Sequence, residues 1–253
     1  MFDLSGKVAI VTGCNTGLGR GMALALAQAG CDIVGFNIVP ADETATAVER
    51  MGRRFHDIPT DLSTAKAEDL IARATAAFGR IDILVNNAGI IRRADALEFS
   101  ERDWDDVIAV DLKAVFFLAQ AAARQYIRQQ PAGQTTGGRI INTASLLSFQ
   151  GGIRVPSYTA AKSGVLGLTR LLANEWAKYG ITVNAIAPGY MDTDNTAALR
   201  ADPARSKDIL ARIPMGRWGL PSDLAGPVVF LASDAAAYVT GHALAVDGGW
   251  LAR

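Results

Sequence analysis

Val8-Ala-Ile-Val-Thr-Gly-Cys-Asn-Thr-Gly-Leu-Gly19 carries a five-residue run of strand type into a glycine-rich turn, and a helical pattern follows to Ala29. A strand, a turn of this kind and a helix start together make an anion site. Unpaired backbone N–H groups and the positive end of the helix dipole face the same point. Gly13, Gly17 and Gly19 permit the close approach of a pyrophosphate, with Asn15, Thr16 and Leu18 completing the turn. The G-x-x-x-G-x-G spacing differs from the commoner G-x-G-x-x-G, so it is the position directly after the first strand that gives the turn its meaning.

Outward from this turn, short β-rich runs alternate with longer helical patterns. Strands are predicted at 8–12, 33–37, near 54–55, 81–86, 139–143, 181–186 and 243–246. Helices are predicted at 42–50, 63–78, 100–129, 157–178 (ended by Gly180) and 222–233. The order predicts an α/β fold, a single domain over residues 1–253. Its mostly parallel, doubly wound sheet of about seven strands has helices on both faces and ligands at the C-terminal strand edge. Residues 190–214 are polar and irregular, which suggests a movable lid-like insertion or a plain surface helix pair.

Lys plus Arg and Asp plus Glu both number 25, so no general attraction to nucleic acid or an anionic membrane is expected. No apolar run approaches the roughly 20 residues of a membrane span, and the first residues lack a charged segment followed by an apolar one. A soluble, cytoplasmic protein is therefore expected. Cys14 and Cys31 are too few for a disulfide framework, and His56 and His242 have no ligand spacing, so no metal is expected. Cys14 has two readings: a thiol acidified by the helix dipole, or a small residue filling a tight loop.

Tyr158 and Lys162 stand four apart in Ser157-Tyr-Thr-Ala-Ala-Lys-Ser163, with Ser145 upstream. Residues i and i+4 share a helix face, so a phenol and an ammonium can meet one bound molecule. Reduction of a ketone by hydride builds negative charge on oxygen and needs a proton donor. In the reverse direction a free tyrosine, with a pKa of ~10, is a poor base, and a nearby ammonium favours the phenolate. At the end of the second strand, where an acid usually meets the adenosine ribose, the chain offers Asn37. No Arg or Lys stands at 38 or in the turn to hold a 2′-phosphate, so NAD(H) is expected over NADP(H), with Arg20 or Arg53 the side chains that could still reach.

Taken in order, the glycine turn, Asp61-Leu62, Asn86-Asn-Ala-Gly89, Ser145, Tyr158 with Lys162, and Pro188-Gly189 leading to Thr193 resemble the short-chain dehydrogenase/reductase family over essentially the whole chain. The resemblance implies a Rossmann-type NAD-binding domain. It implies that Asp61 and Leu62 border the adenine, that Asn87, Ala88 and Gly89 support the adenosine end, and that Pro188, Gly189, Met191 and Thr193 embrace the nicotinamide. Ser145 would hydrogen-bond the substrate oxygen, and Lys162 the nicotinamide ribose. One position departs from the pattern: where the family usually carries Asn in its fourth helix, this chain reads Val110-Asp-Leu-Lys113. In the family that residue helps hold a water that relays a proton. Asp111 can serve through its backbone carbonyl, but an ionised carboxylate cannot donate.

Arg92, Arg93 and Arg154 fall in segments expected to line the pocket, Arg93 and Arg154 being the favoured substrate ligands. A guanidinium grips a carboxylate through two hydrogen bonds, which suggests an acidic substrate such as a keto sugar acid. A 3-oxoacyl thioester, and a nucleotide sensor without turnover, stay open. Family members are often tetramers. Val115, Phe116, Phe117, Leu118, Leu166, Leu168 and Trp176 are compatible with a homotetramer and equally with packing on the sheet.

Overall fold

The structure, a computed structural model, describes residues 1–130 and 137–253. Seven strands form one sheet: β1 (Val8–Thr12), β2 (Asp32–Asn37), β3 (Phe55–Pro59), β4 (Ile83–Asn86), β5 (Arg139–Thr143), β6 (Thr182–Pro188) and β7 (Ala243–Val246). They run β3-β2-β1-β4-β5-β6-β7, every neighbour parallel. The strand order reverses between β1 and β4, so connections leave to opposite sides and a crevice opens above the C-terminal ends of those two strands.

Helix α1 (Gly17–Gln28) covers one face with the later helix α9 (Ala225–Ala232), through Met22, Leu26, Val228 and Leu231. Helix α2 (Asp42–Arg50) adds Val48 to the same layer. The opposite face packs under α3 (Ala67–Phe78), α5 (Ala114–Gln129) and α6 (Pro156–Trp176), where Leu70, Leu118, Tyr126 and Leu172 are buried. The central strands are apolar on both sides because both faces are covered. Among the described residues no helix is long and apolar enough to cross a membrane.

Several predicted boundaries move. Helix α3 starts at Ala67, not at 63, because the Asp61 carboxylate takes the Ser63 N–H and the Asp61 carbonyl takes the Ala65 N–H, which closes a separate turn first. The predicted helix 100–129 is two: α4 (Glu101–Ile108), capped by Ser100, and α5, joined by a π-helical turn at Ala109–Lys113. Helix α6 begins with Pro156 in its first turn, and the chain leaves the last, 3₁₀ turn through Gly180 at φ 72°. The 190–214 segment holds α7 (Ala197–Ala201) and α8 (Pro203–Arg212), the latter capped by the Asp202 carboxylate. At 222–233 a 3₁₀ turn precedes α9.

Candidate active site

A cleft of about 710 Å³ opens over the tips of β1, β4 and β5. Its floor at one end is the glycine turn. Gly13 and Gly17 take φ 64° and 55°, and a Cβ at Gly19 would run into the Gly13 carbonyl, so the backbone there has no room for a side chain. Thr16 makes no side-chain cap to α1, and no acid stands in its first turn, which leaves the first N–H groups free for an anion. Thr12 Oγ1 accepts from Asn87 N and Ala88 N at 2.9 and 2.8 Å, and Asn87 Nδ2 donates to the Thr12 carbonyl at 3.0 Å. These bonds tie the tips of β1 and β4 into one rim. Asn15, Thr16, Leu18, Asp61, Leu62, Gly89 and Thr193 also line the cleft. A cradle without side chains, open helix N–H groups and an elongated groove fit a dinucleotide.

Asn37 is placed otherwise than expected. It is 2% exposed, its Oδ1 accepts from Cys14 N at 2.7 Å and Asn15 N at 3.2 Å, and its Nδ2 donates to Asp57 Oδ1 at 2.6 Å. With both ends occupied it braces the glycine turn from below and does not front the cleft. Cys14 beside it is buried too, and that burial pushes its thiol up to about 11, which removes the acidified-thiol reading. Arg20 is held at 2.6 Å by Glu43, and Arg53 bonds the Gly52 and Gly30 carbonyls, so neither guanidinium is free at the adenosine end.

At the other end stand Thr143, Tyr158, Lys162 and Asp111, all lining the cleft. Lys162 Nζ donates to the Thr143 carbonyl at 2.9 Å and lies 3.4 Å from Asp111 Oδ2 and 5.5 Å from the Tyr158 ring centre. Burial works against the Lys162 ammonium, but Asp111 and Tyr158 outweigh it and lift the lysine above its ordinary value. Burial holds the Asp111 carboxyl above the usual carboxylate range, against the pull of Lys162 and of the Ile90 N–H. Ser145 follows β5 and caps the short turn Leu146–Ser148, its Oγ accepting from Leu147 N at 3.2 Å. Ser148 Oγ donates to the Lys162 carbonyl at 2.7 Å, fastening that turn to α6. Ser145 is half-buried beside the cleft and is not part of its lining.

The remaining candidates divide. Pro188 and Gly189 sit at the end of β6 outside this lining, Gly189 N donating to the Val246 carbonyl. Met191 is a core residue, 4% exposed among the side chains beneath α1. Neither expected substrate arginine is in the lining: Arg93 donates to the carbonyl of Asn195, a residue at the cleft's edge, and Arg154, at φ 64°, lies 3.2 Å from Asp95. It is Arg92 that lines the cleft, paired with Asp103 and Asp106, and Asp105 and Asp106 line it beside Arg92. Those aspartates were missed; the only sequence signal was the acidic run Asp103-Trp-Asp-Asp106 on a short helix following two arginines.

The family model described as enoyl-(acyl carrier protein) reductase matches residues 13–251. A 2-dehydro-3-deoxy-D-gluconate 5-dehydrogenase of Escherichia coli (strain K12) is 66% identical over 253 residues, covering all of this chain and 98% of the relative. A crystal structure from Agrobacterium tumefaciens, provisionally a 2-deoxy-D-gluconate 3-dehydrogenase with bound NADP, is 56% identical, with a TM-score of 0.92 and coverage of 100% and 99%. A gluconate 5-dehydrogenase from Burkholderia cenocepacia, in complex with NADP and tartrate, is 39% identical, with a TM-score of 0.91 and coverage of 100% and 98%.

Proposed function

Because the chain belongs to the short-chain dehydrogenase/reductase family, we propose that it interconverts the C5 hydroxyl of 2-dehydro-3-deoxy-D-gluconate and the corresponding C5 ketone. The observation that carries this reading is one cleft holding both the glycine cradle and the Tyr158–Lys162 pair, in a chain 66% identical to an enzyme of that name. A bound nicotinamide accepts or supplies the hydride at C5. Tyr158 takes the hydroxyl proton in oxidation and returns it to the carbonyl oxygen in reduction, so each turnover moves one hydride and one proton. Ser145 Oγ–H hydrogen-bonds that oxygen while its lone pair keeps the Leu147 N–H. Lys162, fixed by Thr143, reaches the cofactor ribose, and the free N–H groups of α1 take the pyrophosphate. Residues 190–214 serve as the lid over the substrate.

For the cofactor, NAD(H) use is favoured because the two arginines considered for a 2′-phosphate are engaged elsewhere, Arg20 by Glu43 and Arg53 by the Gly30 carbonyl. With Asn37 turned inward, no carboxylate at the tip of β2 repels a 2′-phosphate either, and two similar structures hold NADP. NADP(H) is therefore accepted as well. Steady-state turnover of the keto sugar acid with each cofactor tests both points. Activity with NAD⁺ and a smaller kcat/KM with NADP⁺ are expected, and Tyr158→Phe should lower kcat by about 10²–10⁴-fold, the range of a general acid or base. A second reading, oxidation of 2-deoxygluconate at C3, is favoured by the 56% identical structure. It predicts turnover of that acid and none of the keto acid, which has no C3 hydroxyl.

A further inference from the structure

The buried carboxylate of Asp111 is the part of the site that the dehydrogenase reading does not use. It sits in the π-helical turn between α4 and α5, fully buried, where the wider turn aims it across at α6. Oδ1 accepts from Ile90 N at 2.8 Å, while Oδ2 has no hydrogen-bond partner and lies 3.4 Å from Lys162 Nζ. The fit is tight, for a Cβ on Gly89 would stand 2.7 Å from Oδ2. The charged and titratable groups facing the pair are few. Helix α6 presents Lys162 and Tyr158, β5 presents only the Thr143 carbonyl, and the loop after β4 presents the Ile90 N–H. Farther along the same cleft, α4 presents Asp105 and Asp106, the latter paired with Arg92.

A lone ammonium beside a phenol draws the proton off it. An ammonium that already faces a buried carboxylate does so less, because the carboxylate offsets part of its field at the phenol. We propose that Asp111 is a positioning residue acting through Lys162: its charge holds the ammonium against Thr143 and offsets its field at Tyr158, so that the site is biased toward protonating a carbonyl. The bias toward reduction rests on the dehydrogenase reading; the charge coupling does not.

The coupling is tested without substrate. Absorbance titration of the phenolate, wild type minus Tyr158→Phe, isolates this one tyrosine. With Asp111 within about 9 Å of the phenol ring by way of the shared ammonium, Asp111→Asn should lower the pH of phenolate formation by about one unit, and Asp111→Ser should do the same. In parallel, Lys162→Met strands a buried carboxylate and should lower the melting temperature, while Lys162→Met combined with Asp111→Asn should recover most of the loss. A phenolate transition that stays put or rises, or a double variant no more stable than Lys162→Met, overturns the proposal. The kinetic counterpart is an oxidation rate that climbs at lower pH in Asp111→Asn; a failure to turn over the keto acid in any variant would count against the substrate and leave the charge coupling to the titration.

Discussion

Asn37 decides two things at the residue scale. Its amide satisfies two N–H groups of the glycine turn and donates to Asp57, a set of bonds that an ionised carboxylate cannot make. Asn37→Asp would set two carboxylates at 2.6 Å in a buried place, so a loss of roughly 2 kcal/mol at neutral pH is expected, shrinking in acid as a shared proton returns. Thermal unfolding against pH measures it, and a pH-independent loss would contradict the account. Cys14 and Cys31 are raised by burial to about 11 and about 12. Below those values both stay thiols, so the native protein should resist alkylation at pH 8 and react only once unfolded; mass spectrometry after a thiol-reagent pulse reads this directly. The Tyr158–Lys162 pair was legible in sequence because i,i+4 spacing is local. The inward turn of Asn37 was not, since its competing partner, Asp57, is brought near only by the pairing of β2 with β3.

Among the elements, the break between α4 and α5 carries the most consequence. The helical pattern continues across 109–113, so periodicity alone merges the two helices, and the only hint was an acid, Asp111, among apolar neighbours. A second joint links α8 to the loop before α6. Gln150 Oε1 accepts from Trp250 Nε1 at 3.1 Å and Arg212 Nη2 at 3.3 Å, and the Arg212 guanidinium lies 4.1 Å over the Trp250 ring. Tyr190 packs on the same indole, its ring centre 4.6 Å away. Trp250 and Gln150 therefore fasten α8 to the loop that leads into α6. Trp250→Ala should loosen α8, raising KM about 5- to 30-fold, on the order of 1–2 kcal/mol, with a smaller change in kcat. Limited proteolysis near residues 203–212 should speed up in the same variant; an unchanged KM and cleavage rate would separate the latch from the lid.

The parallel, doubly wound sheet of seven strands was legible, apart from the ends of its elements, because alternating strand and helix patterns leave few topologies once crossovers are right-handed. Where the substrate charges meet was not, since Arg93 and Arg154 found partners far off in the chain or across a loop. Of the apolar residues that suggested association, Val115, Leu118 and Leu166 are buried within the monomer, whereas Phe117 remains about half exposed on α5; Leu171, which the sequence reading did not single out, is about half exposed on α6. A homotetramer joined across that face is expected to run at four chain masses in sedimentation, with Phe117→Glu shifting it to smaller species. Oxidation of C5 of 2-dehydro-3-deoxy-D-gluconate through Tyr158 can be followed by carbon NMR of that acid incubated with the protein and NAD⁺. A new ketone resonance at C5 matched by NADH formation is expected, both lost in Tyr158→Phe. Oxidation at another carbon, or full activity in Tyr158→Phe, would contradict it.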